Sequence, residues 1–296
     1  MVIDTLLIGV SSGAIYSLMA LALVLVWRST RVVNFAQSGQ AVLSTYIGYE
    51  ISLHTHNYWI SLPFAILTGA LIGSLVDFLF MRLLARRAKT GPISEIAPVI
   101  ATLGLLGLIQ SGIGLIWGNA FLQYSSPLSA KGFTWGTHTF PFSPQNLFIV
   151  LASAAVLVIF GTVFRFTNLG LALRAASFEP EVAQLAGIRV NLVRNVGWAF
   201  AGAAGAVAGA TITPTATLSP NSLDLLFVSG FIAAVIGGLD SLLGAVIGGL
   251  VLGISFSFIL QYVGSSVTFL SGFIILMVVL LVRPGGIFAR KAGRRA

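Results

Sequence analysis

The sequence has no cysteine, only three histidines, three lysines and eight acidic residues in 296 positions. Without cysteine there are no disulfides, no thiolate metal sites and no cysteine nucleophile. Charged residues are 8% of the chain, against about 25% in soluble domains. A chain this poor in charge and 57% hydrophobic cannot cover its apolar surface with groups that prefer water.

Other absences narrow the function. No G-x-x-x-x-G-K-[ST] occurs, since Lys89, Lys131 and Lys291 each follow a residue other than glycine, so the chain does not hydrolyse ATP through a P-loop of its own. Acids deep in apolar segments are scarce: Asp77, Glu95, Asp224 and Asp240 all fall near predicted helix ends. Ion-coupled transporters and proton pumps bind their driving ion on such acids, so the energy for any transport should come from elsewhere. No acid pair, His cluster or Ser/His arrangement shares a membrane-facing surface, which disfavours an enzyme. The His54-x-His56 pair with no acid alongside is a weak metal signal, and neither a metal nor a cofactor is expected.

What the sequence does contain is long apolar runs. A bilayer core about 30 Å thick needs roughly 20 apolar residues per helix. Such stretches recur near Leu6 to Trp27, Val33 to Leu53, Tyr58 to Met81, Glu95 to Trp117, Leu147 to Phe164, Val196 to Thr213, Asp224 to Gly238, Leu242 to Tyr262 and Thr268 to Val282. The expected fold is an all-α integral membrane protein, a single polytopic bundle with eight to nine membrane segments. The first stretch is too long for a signal-peptide core and follows Asp4 where a signal would carry Lys or Arg, so it is read as a helix of the mature protein.

The net charge of +8 does not indicate nucleic acid, because the basic residues sit between apolar runs rather than in an aromatic-interleaved patch. It indicates topology. With nine crossings and the N-terminus outside, fifteen of the sixteen Lys and Arg residues fall on the cytoplasmic side and only Lys131 outside, so the C-terminus is expected in the cytoplasm. The external loop Gly118 to Asn146, with Pro127, Pro141 and Pro144, reads either as an ordered cap or as a simple connector.

Three features carry functional information. Asn34, Gln37, Ser38, Gln40, Ser44, Thr45 and Glu50 are scattered through the second segment, where polar groups are costly unless they face protein or water. This reads as a broken or re-entrant helix lining a translocation path at Asn34, Phe35, Gln37, Ser38, Gln40, Ser44 and Thr45; the alternative is that these side chains only bond neighbouring helices. Asn34-Phe35-Ala36 shares part of the half-helix motif of water channels but lacks its proline and has no second copy. Glycines at four-residue spacing, such as Gly205 with Gly209, Gly244 with Gly248 and Gly249 with Gly253, together with Gly237 and Gly238, are expected to let helices pack closely.

The third feature is the loop Arg165 to Arg194. A short helix is predicted here, capped by Ser177, with Pro180 in its first turn, Glu179 and Glu181 at its positive end and Gly187 as its stop. Phe178, Val182 and Leu185 then share one apolar face, fit to dock into a partner protein or, alternatively, to rest on lipid.

Several stretches taken together resemble the LivH-type permeases of branched-chain amino-acid ABC importers: Gly13 to Leu25 followed by Asn34-Phe35-Ala36; Leu171 to Gly187; Gly237-Gly238 through Gly248-Gly249; and Arg283-Pro284-Gly285-Gly286-Ile287-Phe288. The similarity runs over nearly the whole length in order. It implies a subunit of the bacterial inner membrane that is not itself an enzyme. Its implied partners are a second, LivM-like permease or a second copy, two cytoplasmic ATPases, an external substrate-binding protein and membrane lipid. It further implies that Arg174, Ser177, Phe178, Glu179, Glu181, Val182, Leu185 and Gly187 belong to the loop that transmits ATPase closure. Urea, short amides or other amino acids are alternative cargoes, and a secondary transporter or channel is the rival class. Asp240 departs from the family pattern, in which an uncharged residue is expected, and reads as a solvated turn.

Overall fold

The structure is a computed structural model that describes residues 2–87, 93–135 and 138–288, with side chains described for all of these except 85–87, 93–95, 135 and 138. Twelve α-helices are formed by the described residues: α1 Val2–Thr30, α2 Gln37–Thr55, α3 Tyr58–Leu75, α4 Arg82–Arg87, α5 Ile93–Trp117, α6 Pro144–Phe166, α7 Asn168–Phe178, α8 Pro180–Leu185, α9 Val190–Ile212, α10 Asp224–Gly237, α11 Leu242–Tyr262 and α12 Thr268–Val282. A π-helical turn, Val76–Met81, joins α3 to α4, and two-residue strands β1 (Thr134–Trp135) and β2 (His138–Thr139) pair antiparallel in the loop before α6. Lys89, Arg290, Lys291, Arg294 and Arg295 lie outside the described residues, as do the side chains of Arg86, Arg87, Glu95 and His138.

Seven helical stretches are long and apolar enough to cross a membrane: Val2–Thr30, Tyr58–Leu84, Ile96–Trp117, Pro144–Phe166, Val190–Thr215, Leu242–Tyr262 and Ser265–Val282. The expected count of nine is therefore met in part. Of the other two expected segments, α10 has 14 residues, while α2 has the length, at 19 residues, but carries too many polar side chains.

Local chemistry sets several helix starts. Asn57 accepts a hydrogen bond from Trp59 N at α3, Ser143 from Asn146 N at α6, Thr167 from Gly170 N at α7 and Ser241 from Gly244 N at α11, each satisfying a first-turn donor. Large apolar side chains on α3, α5, α6 and α12, among them Leu67, Leu108, Val158 and Leu281, point outward and are exposed, as a lipid-facing surface requires. The interior is built around α1, whose residues Ser17 through Val26 are all buried.

Small residues explain how α1 comes to be enclosed. Gly9, Gly13 and Ser17 on α1 meet Gly249, Gly253 and Ser257 on α11, both sets at four-residue spacing. A Cβ at Gly13 would lie 2.8 Å from Leu250 Cα, one at Gly249 would lie 2.5 Å from Ser17 N, and one at Gly253 would collide with the Gly13 backbone. Ser17 Oγ donates across the seam to Val246 O at 2.8 Å. Gly253→Val is expected to force the two helices apart and destabilise the protein by about 1–3 kcal/mol. Thermal melting of the detergent-solubilised chain checks this, and an unchanged transition would contradict the close packing.

The remaining glycines singled out above fall at similar approaches. Gly205 and Gly209 of α9 face Gln37, Ala41 and Thr45 of α2, Gly237 and Gly244 face one another's carbonyls, and Gly248 faces Ala233 O. Gly238 instead ends α10 with φ +98°, and the Gly286 backbone lies against it. The N–H groups of Ile287 and Phe288 donate to Ile236 O and Gly237 O, so the Arg283-Pro284-Gly285-Gly286 turn brings the chain back to cap α10.

One end of the bundle collects the basic residues. Arg31 pairs with Asp240 and reaches Ser177 O, Arg82 donates to Asn191 O at 2.8 Å, and Arg174 donates to Phe164 O at 2.6 Å. These bonds tie the end of α1 to α7 and to the turn before α11, α4 to the start of α9, and α7 to the end of α6. Asp240 is thus an ion-pair partner between the end of α1 and the turn before α11, not only a solvated turn. At the opposite end, Leu122 pairs with Leu218, and the Tyr124 hydroxyl bonds Ser61 Oγ at 2.7 Å. Burial of the Tyr124 phenol raises its pKa, a shift that the Ser61 hydrogen bond partly offsets. Glu50 accepts from Trp117 Nε1 and lies 3.4 Å from His54 Nε2, so an acid does stand beside the histidine pair. Among the described residues, no three His, Cys, Asp or Glu side chains converge as a metal site would need.

Candidate functional site: a polar helix start inside the bundle and an exposed arm at its basic end

The chain from Arg31 to Ala36 is not helical, and α2 begins at Gln37 rather than at Val33. Its first turn lies deep in the bundle: Gln37 Nε2 donates to Ala201 O at 3.0 Å, halfway along α9, and Phe35 packs on Phe227 and Phe231 of α10. Asn34 organises this start. Its Oδ1 accepts from Ala36 N at 3.1 Å and its Nδ2 donates to Gln37 Oε1 at 3.1 Å. The interior thus contains a helix N-terminus, whose partial positive charge favours an anionic group nearby.

The polar residues of α2 divide into two kinds. Ser44 Oγ and Thr45 Oγ1 both donate to Ala41 O, a bond within their own helix that leaves them little call on anything else. Ser38 and Gln40 are each 1% exposed, yet Ser38 Oγ and both side-chain atoms of Gln40 have no hydrogen-bond partner among the described residues. Buried polar groups without partners cost about 1–3 kcal/mol each, and Ser38 and Gln40 are the two on α2 near its start that carry that cost.

The second element is the arm α7–α8 at the basic end. The short helix expected after a Ser177 cap begins later, at Pro180, as α8, and Ser177 lies instead in α7, which ends just before it with Glu179 between the two. Pro180 is the reason: the residue before a proline is driven out of the helical region, and Glu179 is extended at φ −142°, ψ 92°. Ser177 caps neither helix. It sits in the last turn of α7, its hydroxyl donating to Leu173 O at 2.6 Å, and Thr167 caps α7 instead. Gly187 ends the arm at φ +83°, in the left-handed region open to glycine. Arg174 anchors α7 on the last turn of α6. Phe178 is 85% exposed, Val182 60% and Leu185 89%, with Glu179 and Glu181 also exposed beside them. Phe178 closes α7 while Val182 and Leu185 lie on α8, so the one helical face expected is divided across the Glu179 break, yet all three side chains are bare and flanked by acids.

Between arm and bundle lies a site that sequence reasoning placed only near a helix end. The Asp77 side chain is fully buried in the π-helical turn, its Oδ1 2.7 Å from Arg194 Nε and its Oδ2 3.3 Å from both Arg82 Nε and Asn195 Nδ2. Asn195 also exchanges bonds with Ser74, whose Oγ donates to it at 2.8 Å. The π-turn makes this possible, because its wider winding turns Asp77 toward the first residues of α9 while Arg82 follows five residues later. The start of α9, which the arm leads into, is thus tied to the end of α3. A cavity of about 540 Å³ lies between the end of α1, the arm and the start of α9, bordered by Arg28, Arg31, Pro180, Gln184 and Arg194.

Residues 5–282 match the family described as "Branched-chain amino acid transport system / permease component". The chain is similar to the probable branched-chain amino acid transport permease protein LivH of Methanocaldococcus jannaschii, at 32% identity over 91% of this chain and 87% of the relative. It is also similar to the high-affinity branched-chain amino acid transport system permease proteins LivH of Escherichia coli K12, at 25% identity, and BraD of Pseudomonas aeruginosa, at 27%, each over 95% of this chain and 94% of the relative. No solved structure matches the chain. A match over almost the whole length, on a polytopic helical bundle, makes this protein a membrane permease of the branched-chain amino acid transport family.

Proposed function

We propose that the protein is the membrane-spanning subunit of an ATP-driven importer whose cargo is a branched-chain or other hydrophobic amino acid. In this reading α2 and α10 complete nine crossings, with the N-terminus outside and the basic end in the cytoplasm, where Lys and Arg are retained during insertion. A second permease, LivM-like or another copy, two ATPases and an external binding protein complete the assembly. The relatives' names support the cargo. The bare face of Phe178, Val182 and Leu185 is the observation that supports an external source of energy, since a chain without a P-loop needs a partner to push on.

ATPase closure moves the α7–α8 arm, and the Asp77 cluster carries that motion into α3 and α9. The path runs past the start of α2, where the helix N-terminus suits a substrate carboxylate and Ser38 and Gln40 offer polar groups to it. No covalent chemistry is needed. The absence of cysteine supplies the test. Cys introduced at Gln37 or Ser38 is expected to react with water-borne thiol reagents in the assembled importer at a rate that changes on adding ATP, and complete protection in every transport state would contradict the path.

A further inference from the structure

At the basic end, a cavity of about 680 Å³ opens between α1, α6, α7 and the first turn of α11. Its wall is greasy, including Leu25, Phe160 and Val246, and three arginines, Arg28, Arg165 and Arg174, converge on its rim. Arg28 comes from the last turn of α1, Arg165 from the last turn of α6 and Arg174 from the middle of α7, which packs against α6. Ser241, the cap of α11, lies on the same wall, so the positive end of a 21-residue helix adds to the field of the arginines. The acid lining the cavity, Asp240, is engaged by Arg31.

We infer that this cavity holds the headgroup of an anionic phospholipid. The phosphate sits among Arg28, Arg165 and Arg174, and the acyl chains run up the apolar wall between α1, α6 and α11. Two observations favour this occupant over a protein surface. α1, α6 and α11 are membrane-crossing helices by length and composition, and Arg28 and Arg165 stand in the last turns of α1 and α6, where crossing helices reach the headgroups. A flat apolar partner would lay an uncharged surface against a cluster of positive charge, whereas a phosphate answers that charge and its own chains answer the wall. A soluble anion would leave the wall uncovered. Arg174 belongs to the arm and donates to Phe164 O, so an occupied site steadies the α6–α7 corner. The inference needs only that the chain resides in a membrane and is independent of the cargo.

The test uses the full chain in phosphatidylcholine nanodiscs containing a minor share of phosphatidylglycerol, with native mass spectrometry counting the lipid that stays bound. The wild-type chain is expected to retain phosphatidylglycerol selectively, with retention falling roughly fivefold for Arg28→Gln and for Arg165→Gln. Glycerol 3-phosphate and inorganic phosphate are expected not to displace it. A second variant, Val246→Trp, fills the apolar wall with the arginines intact and is expected to lose the same lipid. Equal retention of both lipids, unchanged retention in all three variants, or displacement by the soluble phosphates would overturn the proposal.

Discussion

Asp77→Leu is expected to destabilise the folded protein by about 3–5 kcal/mol, among the largest losses available to a single substitution here. The carboxylate is wholly buried and answers Arg194, Arg82 and Asn195 together. Removing it leaves the Arg194 guanidinium, whose Nη2 is already buried with no partner among the described residues, as an uncompensated charge between α3 and α9. Arg82 is less affected, because its side chain is 24% exposed and can turn to water. The double variant Asp77→Leu/Arg194→Leu should recover much of the loss, since breaking an ion pair costs more than replacing both members with apolar groups. Melting of the purified chain in detergent measures both. A single variant that melts with the wild-type protein would show that the cluster does not hold α3 to α9.

The second large effect is on transport rather than stability. Phe178→Ser/Leu185→Ser is expected to lower uptake by the assembled importer at least tenfold while the amount of permease in the membrane stays the same. Both side chains are almost fully exposed, so the fold gains little from them. Burying such a side chain in a partner's groove is worth about 1.5–3 kcal/mol, and two central anchors can dominate a small interface. Charge reversal at Glu179 and Glu181, on the same arm, should likewise uncouple ATP hydrolysis from uptake. Full uptake by either double variant would mean that the arm does not receive the ATPases, and its apolar face would then belong on lipid.

Much of this was legible in the chain before its structure. Apolar runs locate the membrane helices to within a few residues because the bilayer imposes both length and composition. The turn at Gly187 is a local effect readable from a single residue, whereas the break before Pro180 was missed because Pro180 also suits a first helical turn. Misplaced features depended on geometry between distant segments. Asp77 looked like an ordinary helix-end acid because hydropathy does not reveal a π-turn, and its partner Arg194 lies 117 positions away. The i, i+5 spacing of Asp77 and Arg82 was the one available hint. Ser177 resembled a cap because a serine followed by Glu179, Pro180 and Glu181 suits a helix start, but Thr167 had already begun a helix that absorbed it. The division of the α2 residues was also hidden: Ser44 and Thr45 spend their hydroxyls on Ala41, whereas Ser38 and Gln40, equally polar in sequence, have no partner among the described residues. Gly238 fell among packing glycines by spacing, while its backbone at φ +98° makes it a turn that receives the returning C-terminal segment.

The most direct measurement is uptake of radiolabelled leucine into proteoliposomes holding this permease with its cognate permease partner and ATPases, with the binding protein added outside. Accumulation should require ATP on the ATPase side and stop when the ATPases are omitted, whatever ion gradient is imposed. Concentrative uptake by this chain alone, following a proton or sodium gradient, would contradict the account.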